Sequence, residues 1–427
     1  MTISDTHTLV GGGRTYTFNI GGGGCEKRVT RIPTEINKGP IKIYGFGQDS
    51  TAILKTNTQL LLSLADGHGP SKEGKDISYK IHDYMLTSIS ETQSFILDKL
   101  RIGDYDYVKT IITEIFANVN DIILNRDDIT SKYYMGGTTL TILHKIIDSI
   151  DGTLYSLSYN IGDSPYFKIN SNASLIEELS ENQNCDNIKC VEEYYNHCLK
   201  KGVSPSPIIL GRFNKPNNFK TPWMGDEYIE PYKYEIIDGK YKITQNTQIM
   251  KRFYEEAPTS LKKNTLYNGG PQSIRGKQAN IIGLENGLFP MENFGSTINA
   301  DVQNIHSFGD RKSVINNHIL CVPFISINKI DDHNYDFIGS DGPIDCLSNE
   351  DILTMFKEKP TRNMDDFLDL VRNTIDLKAT NGGFTLSPFN NVPTWDDNSY
   401  WIVDTVIDDE LELIPELELI PELELIP

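Results

Sequence analysis

Residues 60–69 read LLLSLADGHG, an apolar run followed by an aspartate, two glycines and a histidine. A run of about six apolar or small residues that ends in a turn signal predicts a buried β-strand leading into a tight turn. Asp66 and His68 are therefore expected at the end of a strand that is fixed in the core.

Three further aspartates, Asp163, Asp341 and Asp397, also lie at the ends of predicted strands and beside a Gly or Asn. A single Asp-Gly pair is usually only a turn. Carboxylates gathered at one end of a sheet, however, repel one another unless a cation lies between them, and hard oxygen ligands suit Mg²⁺ or Mn²⁺. Two such ions can activate a water molecule for attack on phosphorus.

The rest of the chain predicts a mixture of helices and strands. Hydrophobic periodicity predicts helices over Asp76–Leu100 and Asp104–Asn125. The second helix carries an apolar stripe expected to pack in the core, formed by Val108, Ile111, Ile112, Ile115, Phe116, Val119, Ile122 and Ile123. A strand over Thr138–Ile147, an Asp151-Gly152 hairpin turn and a return strand over Leu154–Ile161 follow.

Later segments complete this pattern. They are a helix near Leu175–Leu179, strands over Leu320–Ile327 and Tyr335–Ser340, helices over Asn349–Lys357 and Asn363–Leu377, and a strand over Tyr400–Val406. This order of elements predicts an α+β sandwich, with helices grouped outside antiparallel sheets.

Composition limits the possible functions. The 427 residues hold 40 Lys and Arg against 59 Asp and Glu, a formal charge of −19, which excludes nucleic-acid binding by bulk charge. The apolar runs are too short to span a bilayer, and no signal peptide is visible. Six cysteines in a chain of this length indicate reduced thiols and an intracellular, cytoplasmic protein.

Four residues of the types that bind zinc cluster near the middle of the chain: Cys185, Cys190, His197 and Cys198. Their spacing differs from the usual zinc pairings, so a chance cluster is favoured over a structural zinc site.

Three segments differ from the rest in composition. Residues 1–40 are glycine-rich and are expected to form a flexible or hairpin-forming arm, with a phosphate-binding loop as the alternative. Residues 171–300 read as an irregular insertion. Residues 408–427 contain ELELIP three times and carry eight carboxylates, which favours a solvated tail over a partner-binding strand or polyproline segment.

Six motifs, in order, resemble those of the metal-dependent Ser/Thr protein phosphatases of type 2C (PPM). The first three are Leu64–Gly69, which resembles the DGHGG motif, Gly136–Thr139, which resembles G-[ST]-T, and Asn160–Ser164, which resembles N-x-GDS. The last three are Ser307–Asp310, which resembles RS-[FL]-GD, Gly339–Glu350, which resembles SDGLWD followed by LSNEE, and Asp397-Asn398, which resembles the terminal DN. The resemblance covers about residues 41–407 and implies a four-layer αββα sandwich of two antiparallel sheets flanked by helix pairs.

The resemblance also implies two Mn²⁺ or Mg²⁺ ions, with a third ion held more loosely. Asp66 would bridge both ions, and the Gly67 carbonyl would bind the second. Asp341 and Asp397 would hold the first ion, and Asp163 with Asp341 would hold the third.

The implied reaction is dephosphorylation of phosphoserine and phosphothreonine in proteins by metal-bound hydroxide. Asp49 matches a further aspartate of the metal site. His68 would be the general acid that protonates the leaving oxygen. Phosphoprotein substrates are the implied partners, with no role for nucleic acid or membrane.

The chain departs from the family pattern in several places. Gln48 replaces a glutamate ligand, no arginine stands just upstream to clamp phosphate, and Pro70 and His306 replace a Gly and an Arg. We therefore expect a slow, Mn²⁺-dependent phosphatase with a high KM, in which Lys42 or Lys55 partly substitutes for the arginine. The alternatives are a pseudophosphatase that binds or scaffolds, and a structural protein whose Asp-Gly pairs are only turns.

Overall fold

The computed structural model describes residues 2–25, 34–69, 71–126, 136–183, 187–202, 232–245, 306–310, 320–345, 347–381 and 397–408. Pro70, Cys185, the ELELIP repeats and most of the 171–300 segment lie outside these ranges. Among the described residues, no helix has both the length and the apolar character needed to cross a bilayer.

A six-stranded antiparallel sheet forms one half of the fold, with strands numbered along the chain. Its spatial order is β1 (Thr2–Gly11), β2 (Arg14–Cys25), β18 (Asn398–Asp408), β17 (Asn334–Gly339), β11 (Tyr166–Asn170) and β12 (Ile176–Glu178). The last described strand, β18, thus lies in the middle of this sheet next to the second strand, β2, with Tyr400 opposite Gly23.

A seven-stranded antiparallel sheet forms the other half. Its spatial order is β16 (Phe324–Ile330), β10 (Leu154–Ile161), β9 (Leu140–Ile147), β6 (Gln59–Ala65), β5 (Asp49–Lys55), β4 (Ile41–Phe46) and β3 (Thr34–Lys38). Two smaller sheets accompany it: β7 (Gly67–His68), β8 (Gly137–Thr138) and β15 (Phe308–Gly309) form a three-stranded one, and β13 (Tyr232–Ile237) and β14 (Lys240–Gln245) form a hairpin.

The described residues contain seven α-helices, which lie mainly outside the sheets. They are α1 (Ser71–Glu91), α2 (Gln93–Arg101), α3 (Tyr105–Leu124), α4 (Ile188–Lys201), α5 (Asp341–Asp345), α6 (Asn349–Lys357) and α7 (Met364–Asn381). Helices α1 to α3 pack on the outer face of the seven-stranded sheet, and α6 and α7 pack on the outer face of the six-stranded sheet.

The two sheets pack face to face. Leu60, Leu62 and Leu64 of β6 point into the core between the sheets, where they join Phe18 and Trp401 of the other sheet. Leu61 and Ala65 point the other way, into the core under the helices. Successive side chains of a strand point to opposite faces, and both faces of β6 are buried. The Leu60–Ala65 run is therefore apolar on both faces. The predicted four-layer αββα sandwich is confirmed.

The glycine-rich N-terminus contains the hairpin expected as one form of the 1–40 arm, but the hairpin is an integral part of the six-stranded sheet. The side chains of Leu9, Tyr16 and Phe18 are fully buried. The glycines allow close approach, because a Cβ on Gly22 would lie 2.6 Å from the Trp401 ring. The core therefore begins near the first residue and not at residue 41.

Some predicted elements differ in detail. The Asp76–Leu100 helix starts earlier and divides at Thr92 into α1 and α2. The helix expected near Leu175–Leu179 is wrong, because Ile176–Glu178 pairs with β11 as an edge strand. The Asn170 side chain closes the preceding turn by accepting hydrogen bonds from the Ser174 and Leu175 amides, both at 2.9 Å. In the stripe of α3, Ile122 is 50% exposed, whereas its other seven members are buried.

Candidate functional site

The ends of four strands bring the predicted aspartates to one edge of the sandwich. In the seven-stranded sheet, Ser50 pairs with Ala65, so Asp49 and Asp66 lie at the same end of β5 and β6. In the six-stranded sheet, Gly339 pairs with Tyr400, so Asp341 and Asp397 lie beyond the same end of β17 and β18. The Ser340 amide donates to the Ser399 carbonyl at 2.9 Å and ties these two ends together.

Two hydrogen bonds join the two sheets at this edge. The Ser399 hydroxyl donates to Asp49 Oδ2 at 3.0 Å, and the Gln48 amide donates to Asp397 Oδ2 at 2.7 Å. Gly47 has a φ of 85°, and a Cβ at this position would collide with the Asp397 carboxylate. Glycine is therefore required where the loop between β4 and β5 passes over Asp397.

Asp163 lies in the turn after β10, which is anchored to the same edge. The Ser164 carbonyl accepts a hydrogen bond from Asn160 Nδ2 at 3.1 Å, and the Ser164 hydroxyl lies 2.8 Å from that of Thr139. The Gly339 amide donates to the Pro165 carbonyl at 3.2 Å, so this turn is also tied to the start of the Asp341 segment.

Gly67 and His68 form β7 of the three-stranded sheet, directly after Asp66. The Asp66 carbonyl accepts hydrogen bonds from the Thr138 hydroxyl and the Thr139 amide, both at 2.9 Å. A Cβ on Gly67 would lie 2.6 Å from the Gln48 carbonyl oxygen. The chain is therefore closely packed around Gly67, and only a glycine fits between its neighbours.

His68 is paired with Asp310, the last residue of the Ser307–Asp310 motif. His68 Nε2 lies 2.8 Å from Asp310 Oδ2, and Asp310 is 1% exposed. Burial is the largest single influence and lowers the pKa of His68. The charge of Asp310, its hydrogen bond and the charge of Asp163 outweigh burial, and the pKa is raised. The only sequence signal for Asp310 is its place in the Ser307–Asp310 motif.

The predicted site residues therefore share one edge, but their coordination of an ion stays a prediction. Within the part of the chain that the structure describes, no group of three or more His, Cys, Asp or Glu side chains is arranged to hold a metal ion. The carboxylates of Asp49 and Asp397 accept hydrogen bonds from Ser399 and Gln48. The donor set itself, carboxylate and carbonyl oxygens, has the chemistry that a hard divalent cation prefers.

The cations suggested as substitutes for the missing arginine lie elsewhere, so that expectation is wrong. Lys55 is six residues along β5 from Asp49, roughly 20 Å at ~3.3 Å per residue. It forms an ion pair with Asp5 and donates to the Thr6 carbonyl at 3.1 Å. Lys42 is exposed and pairs with Ile53, also toward the far end of the sheet.

Gln48, at the position of the family's glutamate, is used to hold a loop. Its side-chain amide donates to the Gly69 carbonyl at 3.3 Å, and its own carbonyl accepts from the Ser78 hydroxyl. The residue therefore links the β4–β5 loop to the turn that contains His68 and to helix α1.

The described start of the 171–300 segment lies beside the Asp163 turn. The Gly162 amide donates to Gln183 Oε1 at 3.0 Å, and Gln183 Nε2 donates to the Val322 carbonyl at 3.1 Å. Cys190 and Cys198 lie buried on α4, the helix that follows, and neither forms a disulfide in the described part of the chain. This part of the segment is therefore next to the candidate site and not on a remote surface.

Comparison with known proteins gives structural neighbours only, since no family model and no curated protein matches the chain. The chain is similar to a serine-threonine phosphatase 2C from Toxoplasma gondii, at 10% identity over 95% of this chain and 99% of that one, with a TM-score of 0.48. A PPM Ser-Thr phosphatase from Mycobacterium smegmatis is 12% identical over 90% and 97%, with a TM-score of 0.39. A serine/threonine phosphatase from Mycobacterium tuberculosis is 10% identical over 91% and 98%, with a TM-score of 0.41. These neighbours are phosphatases of the type 2C (PPM) family, whose motifs the chain resembles, and their identity to this chain is low.

Proposed function

We propose that this protein removes phosphate from phosphoserine and phosphothreonine side chains of proteins, with the help of bound Mn²⁺ or Mg²⁺. The observation that carries the proposal is the convergence of Asp49, Asp66, Asp341 and Asp397 from two sheets on one edge, beside His68. Two of these four aspartates, Asp49 and Asp397, are buried. Because like charges repel, such a cluster lowers the stability of the fold unless a bound cation compensates for the repulsion.

The residues proposed to hold the ions are those with oxygen donors at this edge. Asp66 and the Gly67 carbonyl would hold one ion, Asp341 and Asp397 the other, with Asp49 beside them and Asp163 available to a third. When bound, such ions supply an activated water and neutralise the charge of the phosphoryl group.

His68 is the proposed proton donor. Its ring is held in place by Asp310, and its side chain keeps 22% exposure to solvent, so a leaving serine or threonine oxygen can reach it. Because its pKa is raised, more of the imidazole carries the second proton near neutral pH than in a free histidine. A general acid of this kind contributes about 10²–10⁴-fold to a rate.

The test is hydrolysis of p-nitrophenyl phosphate and of a phosphothreonine peptide, with and without Mn²⁺. We expect slow turnover with a high KM that requires Mn²⁺ and falls at least ~100-fold in Asp341→Asn. Asp332→Asn, an exposed aspartate in the β16–β17 turn, is the matched control and should leave turnover unchanged. Equal turnover with and without a chelator would refute the proposal.

A second candidate is a pseudophosphatase that binds a phosphorylated partner without turnover. Two observations favour it: Gln48 is engaged with Gly69, and no three ligand side chains are grouped within the described residues. The same assay separates the two. A phosphopeptide that binds, measured by calorimetry, and is not hydrolysed at any Mn²⁺ concentration would support the second candidate.

We propose a reducing, intracellular compartment for this activity. Cys190, Cys198 and Cys321 support it, because none of them forms a disulfide within the described residues and reduced thiols persist where disulfides are kept reduced. Mass spectrometry after alkylation of freshly isolated protein would test it, and a disulfide at any of these residues would contradict it.

A further inference from the structure

We propose that Asp310 is a positioning residue, which holds the imidazole of His68 in the orientation needed to protonate the leaving oxygen. This inference rests on the proposed phosphatase function. The two side chains come from positions 242 residues apart in the sequence, and their contact is His68 Nε2 to Asp310 Oδ2 at 2.8 Å. Asp310 itself lies directly after β15, the strand that pairs with β8 in the same small sheet as His68.

Asp310 is fixed from several sides. Its amide donates to the Gly136 carbonyl at 2.9 Å, and the Ser307 hydroxyl donates to the same Oδ2 that faces His68. Its φ is 47°, a left-handed conformation that is uncommon for a residue with a side chain. Such a conformation persists only when the surrounding structure determines it, and it is frequent at functional sites.

Gly137 packs directly against this pair, and a side chain at that position would displace it. A Cβ on Gly137 would collide with both Asp310 Oδ2 and His68 Nε2. The other carboxylate oxygen, Asp310 Oδ1, is buried and has no hydrogen-bond partner within the described ranges. Within the described ranges, the hydrogen bonds of the Asp310 side chain, from the His68 ring and the Ser307 hydroxyl, are therefore both made by Oδ2.

This geometry assigns different roles to the two ring nitrogens of His68. Because the carboxylate accepts from Nε2–H, that nitrogen keeps its proton, and Nδ1 is the nitrogen left for chemistry. In the reaction, the oxygen of water forms a bond to phosphorus and releases a proton to solvent. The bond from phosphorus to the serine or threonine oxygen breaks, its electron pair stays on that oxygen, and the oxygen takes the proton from Nδ1. His68 then regains a proton from solvent.

A merely structural ion pair would hold the three-stranded sheet together without this role. The two possibilities differ in how the variants combine. If Asp310 acts through His68, removing it from a chain that already lacks the imidazole costs nothing further in kcat, because residues that act as a unit are not additive. If its role is only structural, the two losses add.

The experiment measures kcat and KM of the full-length chain with Mn²⁺ on two substrates. Phenyl phosphate has a poor leaving group that needs a proton, and p-nitrophenyl phosphate has a good one that does not. We expect His68→Ala and Asp310→Ala to lower kcat on phenyl phosphate by about tenfold or more, with a much smaller effect on p-nitrophenyl phosphate and on KM. The double variant should match His68→Ala alone.

The control is Asp148→Ala, which removes another buried carboxylate, one that binds Arg101 at 2.7 and 2.8 Å. It should lower the melting temperature without changing the ratio of the two substrates. Asp310→Asn is the second variant if Asp310→Ala does not fold. Losses on the two substrates that are equal, or losses that add in the double variant, would overturn the proposal.

A second readout does not depend on activity. Nitrogen NMR of the His68 ring should show the Nε2–H tautomer in the unaltered chain and a mixture in Asp310→Ala. An unchanged tautomer would overturn the positioning role even in an active enzyme. A chain that hydrolyses neither substrate would refute the proposed function and the proton transfer with it, whereas the NMR result still decides whether Asp310 fixes the ring.

Discussion

Acid should destabilise this protein before its carboxylates are protonated, because three buried histidines of the described chain have rings that are hydrogen-bonded to neutral groups and not to carboxylates. His82, His144 and His306 are each fully buried. Burial lowers the pKa of His82 and of His144 to about 3 and that of His306 to about 4. Their rings bind neutral groups: His82 lies between the hydroxyls of Ser50 and Ser63, at 2.9 and 2.7 Å.

The sign and size of the effect follow from linkage. In the unfolded chain each histidine takes up a proton near pH 6.5, while in the folded chain it stays neutral until the pH falls toward its lowered pKa. The unfolded state therefore binds more protons below pH 6.5, and the free energy of unfolding falls as the pH is lowered. At pH 5 the cost is about 2 kcal/mol per histidine, at ~1.4 kcal/mol per pH unit, and about 6 kcal/mol for all three. A typical domain has about 5–15 kcal/mol in total.

The assay is urea unfolding at several pH values between 7 and 5, a window above the ordinary range of Asp and Glu. We expect His82→Gln to reduce the pH dependence by about one proton, ~1.4 kcal/mol per pH unit near pH 5. Leu62→Ala is the control, because it removes buried apolar volume, costs about 2–5 kcal/mol at every pH and leaves the slope unchanged. An unchanged slope in His82→Gln would mean that this ring is already charged in the folded protein, and the reasoning from burial would fail.

Three further changes test other parts of the structure. Gln48→Glu adds an anionic oxygen in the loop between β4 and β5, so the Mn²⁺ concentration for half-maximal binding, measured by calorimetry, should fall several-fold. An unchanged Mn²⁺ affinity would exclude position 48 from the metal site. Lys145→Met removes the cation that lies 2.8 Å from the buried Asp336 carboxylate, so urea unfolding should show a loss of about 3–5 kcal/mol. Asp336→Leu in the same chain should restore most of this loss. Gly22→Ala puts a methyl group 2.6 Å from the Trp401 ring and should cost about 1–3 kcal/mol in the same measurement, whereas no loss would mean that the two strands can separate to admit it.

Local signals in the sequence predicted those elements whose ends are determined by neighbouring residues. The helix over Asn349–Lys357 was predicted with its observed bounds, and Ser348 and Asp351 form a capping box at its start. The strand Leu154–Ile161 also has its predicted bounds, since an Asp-Gly turn precedes it and a glycine turn follows it. The Leu60–Ala65 run gave the central strand, which the structure extends by one residue to Gln59.

Features that depend on contacts distant in the sequence were missed. No local pattern indicates that Asp310 meets His68, because the contact is created by the pairing of β7 and β15 with β8. The glycine-rich strand β2 resembles a loop in composition, and contacts from distant residues, such as the Trp401 ring packed against Gly22, explain why side chains are excluded there. Ile176–Glu178 is too short for its own sequence to decide between helix and strand, so pairing with β11 decides it.

The place of β18 in the six-stranded sheet has a consequence for how the chain is made. This strand lies between β2 and β17, and its residues 398–408 leave the ribosome long after β2 at residues 14–25. Until then the β1–β2 hairpin has one edge with unsatisfied backbone groups and a row of glycines against which nothing is packed. Pairing across nearly four hundred residues makes folding slow, because a long loop must close first. A nascent chain that stalls before residue 398 leaves an open sheet edge, which is a surface for association with other chains. Synthesis of β18 is therefore the event that closes this half of the sandwich, and any truncation that removes it divides the six-stranded sheet between β2 and β17.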